Sequence, residues 1–147
     1  MTDFVTRFRE ARARRAAERL AADKAFMDRA LALDHWTVPP AASIDELVAK
    51  APGLSVALDR YAGAVSALPQ PPDRRLREVR RILERGVSLR REILEAIGRL
   101  GQGDVGALEA IARELRRWKE SGTAAQLLLR DYAAEKLALA GKGNSND

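Results

Sequence analysis

The chain has no cysteine and a single histidine among 147 residues. Without cysteine there is no disulfide scaffold, no thiol nucleophile and no Cys-ligated zinc or iron–sulfur site. One histidine, His35, excludes His-rich metal sites and the paired Glu-x-x-His of di-iron bundles. No Gly-x-Ser-x-Gly occurs, so the turn that presents a hydrolase serine is missing. No apolar run approaches the ~18 residues of a membrane helix. The first twenty residues are charged almost throughout and lack the apolar centre of a signal peptide, so export is not expected.

Hydrophobic residues make up 46% of the chain, enough for one folded domain. Lys plus Arg total 26 against 21 acids, net +5, and 21 of the 26 are arginine. An Arg- and Ala-rich, Lys-poor composition is what a GC-rich bacterial or phage genome produces from codon bias alone. The placement is uneven, however: residues 1–30 sum to +3, 31–72 to −2, 73–100 to +4, and the rest is neutral. Such segregation suits internal pairing or a surface for an anionic partner. A cytoplasmic location fits the lack of cysteine.

Breaks fall at 35–42, at Pro69–Pro72, at Gly101–Gly103 and around Ser121–Gly122. Nothing between them alternates with period two, so the pieces read as helices. The first spans 3–33. Ser43 with Glu46 has capping-box spacing and starts a short second helix, and Pro52–Gly53 separates it from a third near 54–67. Asp73 caps a fourth over 74–100, Asp104 a fifth over 105–120 and Thr123 a sixth over 124–140, with Gly141 as its stop. The expected fold is all-α: an antiparallel bundle of five to six helices with a long, partly projecting N-terminal helix. In domain terms, 1–33 is a basic arm plus a packed half, 43–140 the bundle and 141–147 a disordered tail.

The fourth helix carries the clearest stripe: Leu76, Val79, Leu83, Gly86, Ile93, Ile97 and Leu100. At 1.5 Å per residue it is about 40 Å long, and the first helix is the only comparable partner. The sixth helix is apolar on two sides, with Leu127 and Leu128 on one and Leu129, Ala133 and Leu137 on another. Such a helix is central in a bundle or covered by another chain.

Some residues break these patterns. Arg90 stands in the fourth-helix stripe where an apolar residue is due. It either spreads its stem over the core edge with a wet head or pairs with a buried carboxylate that fixes register. Asp131 and Glu135 lie along an apolar face and should be paired or look outward. Arg7, Arg9, Arg12, Arg14, Arg15 and Arg19 spread around the first helix, which a fully packed helix does not tolerate. Residues 7–19 are therefore expected to project, tipped by Phe4, Val5 and Phe8 and braced by Glu10–Arg14 and Arg14–Glu18 pairs. Such an arm could track phosphates, join an acidic partner in a coiled coil, or lie on an anionic membrane.

Two local resemblances bear on chemistry. His35 and Pro40 resemble the His-to-Pro frame of the phosphoacceptor helix in sensor histidine kinases, which would imply phosphorelay; Trp36 replaces the acid that assists transfer, and no Gly-rich nucleotide loop follows. His35 and Trp36 are expected instead to close a helix end against the core. Leu108–Leu115 resembles the first helix of many helix-turn-helix units, which would imply DNA binding; Arg116-Arg117-Trp118 continue the helix where the turn belongs.

No catalytic, cofactor-binding or metal-binding residues are assigned, and no small-molecule substrate is inferred. The expected function is a non-catalytic interaction or adaptor protein with a protein partner or a second copy, meeting it through Phe4, Phe8, Leu129, Ala133 and Leu137. The alternative is nucleic-acid binding through the arm arginines and the basic face Arg74, Arg77, Arg81 and Arg85. Membrane association ranks below both.

Overall fold

A computed structural model describes the backbone over residues 2–145 and the side chains over residues 3–136. Five helices follow in order: α1 (Thr2–Leu31), α2 (Ile44–Ala49), α3 (Ala51–Ser66), α4 (Arg74–Gly101) and α5 (Ala107–Ser145). No strand occurs among the described residues. The chain is an all-α bundle.

Local chemistry sets most of the boundaries. Ser43 accepts a hydrogen bond from the Glu46 amide at 3.1 Å, while Glu46 accepts from the Ala42 amide at 2.8 Å. Each side chain thus satisfies a backbone donor at the start of α2. Pro52 and Gly53 do not separate two helices by a gap; they lie in the first turn of α3, where a proline's missing N–H costs nothing. Asp73 caps α4 by accepting from the amides of Arg75 and Leu76 at 2.8 and 3.3 Å. Gly103, with φ of +91°, turns the chain from α4 into α5, a conformation that favours glycine. Asp104 does not cap α5 as expected; its carbonyl bonds the Ala107 amide, and its carboxylate reaches back to Arg99.

The expected fifth and sixth helices are one. α5 runs 39 residues without interruption through Ser121, Gly122 and Thr123. Thr123 is not an N-cap: its hydroxyl donates to the carbonyl of Lys119, one turn back. A glycine inside a helix costs only about 1 kcal/mol relative to alanine, and no proline forces a stop. Nor does Gly141 end the helix, which continues through Ser145. Of the expected disordered tail, 141–145 is thus helical backbone; residues 146 and 147 lie outside the described residues.

This merger supplies the partner that the α4 stripe requires. The principal interface of the bundle is α4 against α5, not α4 against α1. Leu76, Val79, Ile93, Ala96, Ile97 and Leu100 of α4 are buried with Ala107, Ile111 and Tyr132 of α5. α3 adds Leu54, Leu58, Tyr61 and Val65, and α2 closes on the C-terminal end of α4, where a Cβ at Gly101 would come within 2.9 Å of Val48. Leu128 and Leu129 pack partly against this core, while Leu127 and Ala133 are exposed. Internal packing therefore takes one residue from each of the two expected apolar sides and leaves one of each exposed.

α1 joins the core only near its end, through Phe26, which is fully buried, and through Met27 and Ala30. From Asp3 to Leu20 every side chain is exposed except half-buried Ala11. The expected Glu10–Arg14 and Arg14–Glu18 pairs do not close; within α1 the ion pair among the described residues is Lys24–Asp28. Alanine-rich sequence and backbone hydrogen bonds carry the helix through this stretch.

Candidate functional site

Two polar constellations stand out, one inside the bundle and one where α1 leaves it. Inside, Arg90 is 4% exposed. Its guanidinium lies 4.4 Å from the Tyr61 ring centre and 4.0 Å from that of Trp118, and its Nε donates to the Trp36 carbonyl at 3.2 Å. Trp36 in turn stacks on Trp118 at 6.2 Å and donates its indole N–H to the Leu54 carbonyl at 2.9 Å. Neither expectation for Arg90 holds: the head is not wet, and no carboxylate pairs with it. Two ring faces and a carbonyl take the place of an anion. Loss of water lowers the pKa of Arg90, opposed in part by the Tyr61 oxygen.

This arrangement fastens α3, the 32–43 segment and α5 to α4. Trp36 is buried against the core, as its position suggested, while His35 is exposed beside Tyr61. The Tyr61 hydroxyl and His35 Nδ1 are 3.4 Å apart. Partial desolvation, then the charge of Arg90, pushes the His35 pKa below its ordinary value. A neutral imidazole beside a phenol lines an open hollow of about 420 Å³ with Trp36 and Arg60. Among the described residues, no group of three or more His, Asp or Glu side chains is placed to hold a metal ion.

The second constellation begins at Asp23, a buried carboxylate of α1. It accepts from the Asp73 amide at 3.0 Å and from the Tyr132 hydroxyl at 3.3 Å. Burial first, then the charge of Asp23, pushes the Tyr132 pKa up to about 12. Arg75 pairs with Asp73 at 3.2 Å and with Glu135, donates to the Asp131 carbonyl, and lies over the Tyr132 ring at 5.5 Å. Burial works to raise the Asp73 pKa, but hydrogen bonds from Arg75 and Leu76 and the Arg75 charge leave it lowered. Asp131 and Glu135 thus look outward.

Beside this junction lies an open cleft of about 610 Å³, lined by Arg19, Asp23, Asp73, Arg74, Arg77 and Lys136 together with Ala16, Leu20 and Pro72. A second hollow of about 320 Å³ adjoins it along α1, lined by Phe8, Arg12, Arg15, Ala16 and Arg19. The two share Ala16 and Arg19. Counting back from Asp23 and Phe26 in steps of three and four reaches Arg19, Arg15 with Ala16, Arg12 and Phe8, so these residues continue the core-facing side of α1. Arg7 and Arg14 fall on the opposite side and Arg9 at the flank.

The arginines expected to meet an anionic partner therefore divide. Arg12, Arg15 and Arg19 come together with Arg74 and Arg77. Arg81 and Arg85 share a face of α4 with them but are both paired with Glu78, at 3.0 and 2.8 Å. Of the expected partner-helix residues, Phe4 and Phe8 are 76% and 54% exposed, Leu129 is half-buried, Ala133 is exposed, and the Leu137 side chain lies outside the described residues. Lys136 was missed from the sequence, although it sits one turn beyond Tyr132. Asp23 was missed too; its place one turn before Phe26 and Met27 was the available signal.

A smaller hollow between α4 and α5 contains Glu114, which is 4% exposed. Its Oε1 meets Arg113 and Arg117 at 3.5 and 3.3 Å, and its buried Oε2 has no hydrogen-bond partner. No family model, curated protein or solved structure matches this chain. No described helix is long and apolar enough to cross a membrane.

Proposed function

We propose that the chain is a non-catalytic helical interaction protein that holds an anionic macromolecule along the unpacked half of α1. The observation that carries this reading is the core-facing side of that half. It continues the stripe that packs Phe26 and Met27, yet over residues 8–19 it bears Phe8, Arg12, Arg15 and Arg19 with no bundle surface closed over them. Unpacked cationic surface of this kind attracts polyanions and speeds their encounter. Phe4 and Val5 extend the same helix as an exposed apolar tip that a partner surface can cover. Arg90 and Asp23, both buried, engage junctions between helices, which supports a scaffold over an enzyme.

The test is retention of the full chain on an immobilised polyanion such as heparin under a rising salt gradient. Substituting Arg12, Arg15 and Arg19 together by glutamine should move elution to clearly lower salt. The triple substitution of Arg7, Arg9 and Arg14 removes the same charge from the other sides and should move it less. Equal shifts would mean that only net charge matters, and the reading would fail.

A further inference from the structure

We propose that the cleft at the root of α1, continued upward by Arg12 and Arg15, is a phosphate-backbone site for duplex nucleic acid. This rests on the reading of α1 as a docking surface for a polyanion and names the partner. Six cations line the two adjoining hollows: Arg12, Arg15, Arg19, Arg74, Arg77 and Lys136. Two carboxylates, Asp23 and Asp73, share that lining, and both are already engaged by the Tyr132 hydroxyl, backbone amides and Arg75.

Most of the other arginines of α4 are paired. Elsewhere on α4 and α5, Arg80, Arg81, Arg85, Arg91, Arg99 and Arg117 are each within ion-pair distance of a carboxylate. Arg12, Arg19, Arg74 and Arg77 form no ion pair among the described residues. Arg15 bonds only its own helix backbone, at the Ala11 carbonyl, and Lys136 lies 5.3 Å from the Tyr132 ring. Arg7, Arg9 and Arg14 on α1 and Arg116 and Arg130 on α5 also form no ion pair among the described residues; Arg12, Arg15, Arg19, Arg74, Arg77 and Lys136 differ from them in lining two adjoining hollows.

The form of the surface points to a phosphate polymer. Arg12 to Arg19 covers seven residues, about 10 Å of helix. A duplex strand presents a phosphate about every 3.4 Å of its axis, so each arginine of the run can find one. Guanidinium groups bind phosphate oxygens in bidentate fashion. A protein partner would meet charge-depleted apolar surface at the centre of its interface, whereas here the centre is cationic. A single-strand site would need rings for bases to stack on, and Phe8 is the one aromatic residue in either lining.

The experiment is fluorescence anisotropy of a labelled duplex of mixed sequence, about two helical turns long, titrated with the full chain at several salt concentrations. The affinity should fall with salt along a log–log line whose slope approaches about −0.9 per phosphate neutralised. Arg74→Gln with Arg77→Gln and Lys136→Gln should make that slope shallower by about 2 to 3, and so should the Arg12, Arg15 and Arg19 triple. The Arg7, Arg9 and Arg14 triple should change it by less than about 1. Arg74→Gln with Arg77→Gln alone spares Lys136 and its ring contact, and should still remove about 2 should the larger variant unfold. A slope unmoved by the cleft substitutions would overturn the proposal. So would binding to polyglutamate, anionic vesicles or a single strand that equals or exceeds duplex binding at the same salt. Polyanion retention that still depends on Arg12, Arg15 and Arg19 would then leave the α1 reading standing and remove only the duplex.

Discussion

Arg90 gives up water for two aromatic faces and one carbonyl, and Gly86 is what leaves room for it. A Cβ on Gly86 would stand 2.7 Å from Arg90 Nη1. The guanidinium is held between Tyr61 and Trp118 and cannot retreat without losing one of them. Gly86→Ala should therefore destabilise the fold by about 1–3 kcal/mol, despite a helix-propensity gain near 1 kcal/mol. Combined with Arg90→Met most of that loss should vanish, a non-additivity that a urea-denaturation cycle measures directly. His35 supplies a second check at this scale. Its folded pKa is lowered, so between that value and about 6.5 the unfolded chain takes up a proton that the native chain refuses. Stability should fall as pH drops through about 6.5, and His35→Gln should abolish that slope, since no other histidine exists. The sequence flagged Arg90 as out of place in its stripe. What it would touch was not legible, because Tyr61, Trp118 and Trp36 arrive from three other segments.

Among the helices, the starts of α2 and α4 were readable, while the expected starts at Asp104 and Thr123 and the expected stops near Ser121 and at Gly141 were not. The capping side chains of Ser43, Glu46 and Asp73 act through neighbours two to four residues away, so spacing alone locates them. Ser121 and Gly122 are equally local, yet their modest preference for a turn loses to the burial of Trp118 and Tyr132 on either side against α4. A helix continuous across a weak point should gain from its repair. Nothing lies within 4 Å of a Cβ built on Gly122, so Gly122→Ala should stabilise by roughly 0.5–1 kcal/mol, read as a higher denaturation midpoint. α1 obeys the opposite logic. Its amides over residues 3–20 should exchange with solvent far faster than those of 23–30, because local opening there exposes no buried side chain.

For the molecule as a whole, α4 and α5 form a spine against which α2 and α3 pack, and a single polar junction decides where α1 departs. Tyr132 reports on that junction. With its pKa near 12 the native chain keeps a proton that the unfolded chain loses near 10. Stability should hold below about pH 10 and decline as pH rises from there towards 12, and tyrosinate absorbance should grow in step with unfolding. Tyr132→Phe should shift the alkaline transition. The arginine count and the projecting arm could be read from the sequence. The division of those arginines into paired and unpaired sets could not, since it depends on which helix passes beside which.

Asp23 is anchored at once to the start of α4 and to α5, and Phe4 stands nineteen residues away on the same unbroken helix. That length is about 28 Å, which makes the fastened carboxylate a fulcrum. A tilt of about ten degrees there sweeps the phenylalanine end through about 5 Å. Loosening one hydroxyl and one amide at that junction would thus be felt at the far tip as a swing of that width.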